Sequence, residues 1–142
     1  MTKYTDVELL KSDMLDACKT LARKRDRLMT IRSRAYGVSG ISYDRERVQT
    51  SNHYDPSKAI LDAIEAEEDV NDAKVIFITR LNNLTDVMNR AGFDNEQQAV
   101  WIERYAHDRS LGQIGKKLKM TRSHVQYLLG HRADTAINNV LY

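Results

Sequence analysis

Apolar residues recur near the start of the chain in alternating steps of three and four. The series is Val7, Leu10, Met14, Ala17, Leu21, Lys24, Leu28, Ile31 and Ala35, with Lys24 as its one polar member. This rhythm predicts a single long helix over residues 5–36. A helix from Val7 to Ala35 is about 43 Å long, and an apolar seam of that length needs a partner helix in the same chain or in another. Gly37 suits a helix C-terminal cap. Residues 37–56 (GVSGISYDRERVQTSNHYDP) carry two glycines and no sustained period, which reads as a polar loop, with a short strand at Arg47–Thr50 left open. Asp55 as N-cap and Pro56 in the first turn then start a second long helix, near 57–92. Its apolar positions are Ile60, Ala63, Val70, Phe77, Leu81, Leu84, Met88 and Ala91. Glu67 and Lys74 interrupt the series, and it strengthens from Val75 onward. Two such seams predict either an antiparallel hairpin within one chain or a homodimer through the long helices.

Gly92 ends the second helix, and Asp94 caps a third, with Gln97 three residues on as its capping-box partner. Ala99, Trp101, Ile102, Tyr105 and Ala106 form the docking face of this third helix. Trp101 and Tyr105, one turn apart, supply an aromatic anchor for a small C-terminal core. Ser110 to Ala133 (SLGQIGKKLKMTRSHVQYLLGHRA) then reads as a helix-turn-helix. Its first helix is Leu111 to Leu118, its turn Lys119-Met120, and Thr121 is the N-cap of the second helix. Leu111, Ile114, Leu118, Met120, Val125 and Leu128 occupy the apolar positions of such a unit. Gly115 sits at the helix crossing, where a side chain larger than Ala would push the helices apart. Lys119 stands where many such turns carry Gly, a conformation Lys adopts at some cost. Ala133, Ile137 and Leu141 share a face, so the second helix of this unit continues with a kink or breaks near Gly130. The expected fold is therefore all-α, with a long helical arm or hairpin in residues 1–92 and a helix-turn-helix unit in residues 93–142.

Charge sharpens this picture. The net charge is only +2, but residues 110–142 carry five Lys/Arg against one Asp, with His124 and His131 besides, whereas residues 58–109 are net acidic. A basic block that coincides with a helix-turn-helix is the footprint of phosphate contact, and the second helix of such a unit lies in a DNA major groove. A second basic cluster, Arg23, Lys24, Arg25, Arg27, Arg32 and Arg34, reads first as the solvated flank of the helical arm and second as a further phosphate contact. The acidic run Glu65 to Asp72 can face that cluster, on the same chain or a partner.

Other function classes are poorly served. The chain has no Gly-rich phosphate loop, no HExxH and no CxxC, so neither an enzyme nor a cofactor is expected. His53, near Asp44 and Asp55, matches no familiar ligand set, and no metal is expected. Cys18 is the only cysteine, which excludes an internal disulfide. The start MTKYTDVELL lacks the apolar core of a signal peptide, and the longest strongly apolar run, Val75-Ile76-Phe77-Ile78, is far too short to span a membrane. A cytoplasmic protein is expected.

The C-terminal part resembles region 4 of bacterial sigma factors, through Ile114 to Leu118 and then Met120-Thr121-Arg122-Ser123-His124-Val125-Gln126-Tyr127-Leu128. With its long N-terminal helix, polar loop and second helix, the chain is similar to the small phage-encoded, sigma-region-4-like late-transcription regulators of Gram-positive hosts. His124-Val125, with Gly130 further along, fits that group. The resemblance implies a sequence-specific, double-stranded-DNA-binding activator of late phage or prophage genes in a bacterial host cell. It also implies base reading from the start of the second helix, which falls here on Arg122, Ser123, Gln126 and Tyr127. Region 4 often has Glu and Arg where this chain has Ser123 and Gln126, so its base preference need not match a −35 sequence. Lys116, Lys117, Lys119, Thr121, His124, His131 and Arg132 are the candidates for phosphate contact. Two rivals stand beside this reading. One is an interaction protein that docks on bacterial RNA polymerase with weak DNA contact. The other is a phage small terminase subunit, which also joins such a motif to helical oligomerisation segments.

Overall fold

The computed structural model describes residues 6–35 and 56–141, and every regular element among them is helical. Of the expected loop 37–56, residues 37–55, with Gly37, the strand option at Arg47–Thr50, His53 and the cap Asp55, lie outside the described residues. Helix α1 spans Val7–Ala35 and α2 spans Pro56–Arg90. The shorter elements are α3 (Asn95–Trp101), which widens into a π-helical turn at Ile102–Ala106, then α4 (Leu111–Leu118), α5 (Arg122–Leu128) and α6 (His131–Leu141). No helix among the described residues is long and apolar enough to cross a membrane.

The chain divides into two compact units. One comprises Met1–Thr20 with Val75–Tyr142, the other Leu21–Lys74. The start of α1 and the end of α2 share a core with the C-terminal helices.

In the unit Leu21–Lys74, the buried residues are Leu21 and Leu28 from α1 and Ala63, Ala66, Val70 and Ala73 from α2. The acidic run meets the basic cluster of its own chain. Arg27 Nη1 donates to Asp69 Oδ2 at 3.0 Å, Lys24 lies 3.9 Å from the same oxygen, and Arg32 pairs with Glu67. Larger numbers on α1 meet smaller numbers on α2, so these segments run antiparallel. Half-exposed pairs of this kind add little stability, and their physical effect is to fix register. Ile60, expected in the seam, is instead 42% exposed, and Ala66 and Ala73 take inward positions that the sequence reading passed over. Glu67 and Lys74 fall beside the inward line of Ala63, Ala66, Val70 and Ala73.

In the larger unit, Val7, Leu10, Met14 and Ala17 of α1 share one core with Leu84, Val87 and Met88 of α2 and with Phe93, Trp101, Ala106, Ala133 and Ile137. The long seams thus find their partners within the chain. Buried within one chain, these seams do not require a second copy to cover them. Gly92, at φ +81°, lets the chain leave α2, and Phe93 is buried directly after it. The first turn of α1 is held from α6, where Asn138 Oδ1 accepts the Val7 N–H at 2.8 Å.

One contact in this core involves a residue the periodicity gives no reason to notice. Lys11 is 13% exposed and lies 2.9 Å from Asp134 Oδ1, with its ammonium 5.4 Å from the Trp101 ring centre and 5.3 Å from that of Tyr105. Burial lowers the Lys11 pKa, but Asp134 and Tyr105 outweigh it and the net shift is upward. Burial also raises the Tyr105 pKa, against the opposing pull of Lys11. A raised folded-state pKa gives stability that is complete below the ordinary value of 10.5 and is lost as pH rises through the folded value. The melting temperature should therefore fall steeply above that pH. Lys11→Met should cost about 1 kcal/mol at neutral pH and flatten the alkaline limb. Melting curves of both proteins across that range check the expectation, which fails if the limbs superimpose.

Candidate nucleic-acid interface

The region from α3 to α5 is built around a small second core in which Val100, Ile114, Val125 and Leu128 are buried and Leu111, Leu118 and Met120 pack against them. Val100, absent from the predicted docking face, is its fully buried α3 member. The predicted anchor divides its work. Trp101 and Ala106 are buried in the main core, while Ala99, Ile102 and Tyr105 are half-buried. Trp101 and Tyr105 rings pack 5.0 Å apart, and with Trp101 wholly buried, stacking on a nucleobase is closed to it.

Local chemistry fixes each helix end. Ser110 and Gln113 form a reciprocal capping box at the start of α4. At its end Lys119 adopts the left-handed conformation (φ 57°, ψ 49°), and the next residue, Met120, donates its N–H to the Gly115 carbonyl at 2.8 Å. Thr121 Oγ1 accepts the His124 N–H at 3.1 Å, so α5 starts where the sequence places it. Asp94 Oδ1 accepts the Gln97 N–H, but the expected capping box does not close. Gln97 Nε2 donates instead to the Leu128 carbonyl at 3.2 Å, and Trp101 Nε1 donates to the same oxygen at 3.1 Å. Two α3 side chains thereby satisfy a carbonyl at the end of α5, which sets the tilt of α5 on α3. The chain breaks at Leu129 and Gly130 before α6 begins, as the Gly130 position implies.

Left-handed backbone at a non-glycine residue is strained by about 1–2 kcal/mol. Lys119→Gly should relieve it, for a net gain of about 0.5–1 kcal/mol after the greater freedom of Gly in the unfolded chain is subtracted. Chemical denaturation of the variant would check this, and a loss of stability would contradict it.

The sequence-predicted contact residues share one property. Lys116, Lys117, Lys119, Thr121, Arg122, Ser123, His124, Gln126, Tyr127, His131 and Arg132 are all exposed, while Val125 and Leu128 of the same stretch point inward. On α5 this leaves Arg122, Ser123, Gln126 and Tyr127 facing outward on a helix held from behind. Tyr127 is 60% exposed, its ring stacks near the His124 imidazole (6.4 Å between centres, 15° between planes), and its hydroxyl accepts from Arg132 Nη1 at 3.2 Å.

Not every candidate cation is uncommitted. Lys117 Nζ donates to Glu103 Oε2 at 3.1 Å, and Arg109 Nε lies 2.6 Å from Glu103 Oε1. Glu103 is the one buried charged residue described, and these two cations neutralise it, so Lys117 ties α4 to the π-helical turn. His124 Nε2 is 2.7 Å from Glu96 Oε1, which places a carboxylate beside the start of α5. No local pattern pairs Glu103 with Lys117 or Glu96 with His124, 14 and 28 residues apart. Among the described residues no group of three His, Cys, Asp or Glu side chains could hold a metal ion. No protein-family model, curated protein or solved structure matches this chain.

Proposed function

We propose that α4 and α5 form a helix-turn-helix of the sigma-region-4 kind, and that the protein is a sequence-specific DNA-binding transcriptional regulator. The observation that carries the reading is the outward face of α5. Arg122, Ser123, Gln126 and Tyr127 stand exposed at the start and middle of a helix whose base is fixed to α3 by the Leu128 carbonyl. A rigid helix with a planar cation and an amide at its open end suits donor and acceptor patterns in a major groove. Arg122 reads guanine and Gln126 adenine, and Ser123 and Tyr127 complete the base-reading set. Lys116, Lys119, Thr121, His131 and Arg132 contact phosphates, joined by Lys117 and His124 where DNA competes successfully with Glu103 and Glu96. Through its resemblance to phage late regulators, the chain is assigned to activation of late phage or prophage genes.

Selection of bound duplexes from a random pool, followed by footprinting, tests this. A recovered motif whose binding weakens steeply with salt is expected. Recovery of no motif would overturn the reading.

A second reading, docking on bacterial RNA polymerase with weak DNA contact, is favoured by the exposed Tyr127 ring and by the Glu96 carboxylate beside α5. Exposed aromatic rings next to Arg are frequent anchors in protein interfaces. Salt-tolerant capture of polymerase by a protein that selects no DNA motif would establish it.

A further inference from the structure

Helix α2 is apolar on two opposite faces. The inward face carries Ala63, Ala66, Val70 and Ala73. On the opposite side, Leu61, Ile64, Glu68, Asn71, Val75 and Ile78 follow one another in steps of three, four, three, four and three, and all six are exposed. The four apolar members are 64%, 45%, 64% and 54% exposed in that order. Steps of this kind keep residues on one line along a helix and are the spacing of a coiled-coil seam. Scattered surface hydrophobes are ordinary, but a line of them in heptad register opposite a helix's buried face is not.

We infer that this outer line of α2 is a self-association surface, occupied by α2 of a second copy running antiparallel. The two polar members choose both the partner and its direction. Parallel, in-register pairing would set Glu68 against Glu68 of the second copy, two carboxylates in one buried layer, at a heavy desolvation and repulsion cost. Antiparallel pairing about an axis between residues 69 and 70 sets Leu61 against Ile78 of the second copy and Ile64 against Val75. The central layers then place Glu68 against Asn71, whose amide N–H donates to the carboxylate. The sequence is thus complementary to its own reverse, with two apolar layers on each side of a hydrogen-bonded centre. At the flanks Lys74 approaches Glu67 of the second copy and Glu65 approaches Asp72, one attraction and one repulsion that leave the choice to the central layers. This surface is distinct from the inward seams of α1 and α2, and it is independent of whether α5 binds DNA.

Sedimentation velocity on the full chain tests the inference. The wild type should pass from monomer to dimer as concentration rises, and Ile64→Glu should stay monomeric with an unchanged helical circular dichroism spectrum. Because both side chains are exposed in the monomer, Val75→Glu serves as a second variant should the first fold poorly. Direction is read by cysteine cross-linking in a Cys18→Ser background. Ile64→Cys combined with Val75→Cys should give a disulfide-linked dimer on oxidation. The two positions are about 16 Å apart along one helix, beyond the reach of an internal bridge. Leu61→Cys alone should not cross-link. A wild-type protein that stays monomeric at every concentration overturns the inference, as does a dimer that survives both Glu substitutions. Efficient cross-linking through Leu61→Cys alone overturns the antiparallel arrangement.

Discussion

Gly115→Val should be the most destabilising single change in the α4–α5 region, at about 3–4 kcal/mol. A Cβ built on Gly115 would lie 2.7 Å from the Met120 carbonyl oxygen, closer than real Cβ contacts come, with Val125 Cγ2 3.9 Å away. The opposing atom is backbone and has little room to retreat. Met120 donates its own N–H to Gly115, and it follows directly on the left-handed Lys119. The approach is tighter than the sequence implies, since even Ala is excluded. Gly115→Ala should gain about 1 kcal/mol of helix propensity and still lose net stability, by about 1–2 kcal/mol, because the clash is larger than the gain. Gly112 supplies the control. It lies in the same helix with nothing within 4 Å of its Cβ position, so Gly112→Ala should be neutral or stabilising by about 0.5 kcal/mol. Urea denaturation of the three variants, followed by the fluorescence of Trp101, checks the series. Equal stability of Gly115→Ala and Gly112→Ala would mean that the close approach of α4 to the turn is wrong.

What could be read from the sequence, and what could not, divides along the range of the interaction. Helix α4 runs from Leu111 to Leu118, Thr121 caps α5, and Lys119 takes the left-handed turn position, all as their neighbours in sequence indicate. These features depend on a few consecutive residues and on backbone groups that must be satisfied locally. The seam of α1 was legible for the same reason, because a period of three and four needs only one helix. The buried face of α2 was less so. Ala66 and Ala73 are inward-facing but too small to register as hydrophobic signals, and the outer line through Leu61 and Val75 adds a second apolar period that masks the first. Contacts between distant segments carry no local signature at all. Lys11 looks like a surface lysine until Asp134, Trp101 and Tyr105 close around it. Gln97 has the spacing of a capping-box residue, yet the Leu128 carbonyl, brought near by packing, claims its amide. At the candidate interface the sequence identified which side chains would be exposed. It did not indicate that Glu103 holds Lys117 and Glu96 holds His124, pairs that only the packing of distant segments brings together.

Arg122→Ala should lower affinity for the preferred DNA site by about 1–3 kcal/mol and flatten the preference at one base position, while Lys116→Ala should weaken all sequences alike. The contrast follows from where the two side chains stand. Arg122 is the first residue of α5, exposed at the end proposed to enter a groove, where its planar guanidinium could donate two parallel hydrogen bonds to guanine O6 and N7. Lysine offers a point charge there, so Arg122→Lys should keep most of the salt dependence and still lose discrimination at that base. Lys116 is exposed on α4, the helix expected to cross the phosphate backbone, and removing its charge should reduce the slope of log affinity against log salt by about one unit. Lys117→Ala provides an internal comparison. Its amine is held by Glu103, so its loss should loosen the junction of α4 with the π-helical turn and lower thermal stability, a change neither Arg122→Ala nor Lys116→Ala should produce. Binding isotherms at several salt concentrations, on the selected site and on a scrambled duplex, separate the three effects. If Arg122→Ala binds the selected site as tightly as the wild type does, α5 does not read bases from its N-terminal end, and the proposed recognition surface is wrong even with the fold intact.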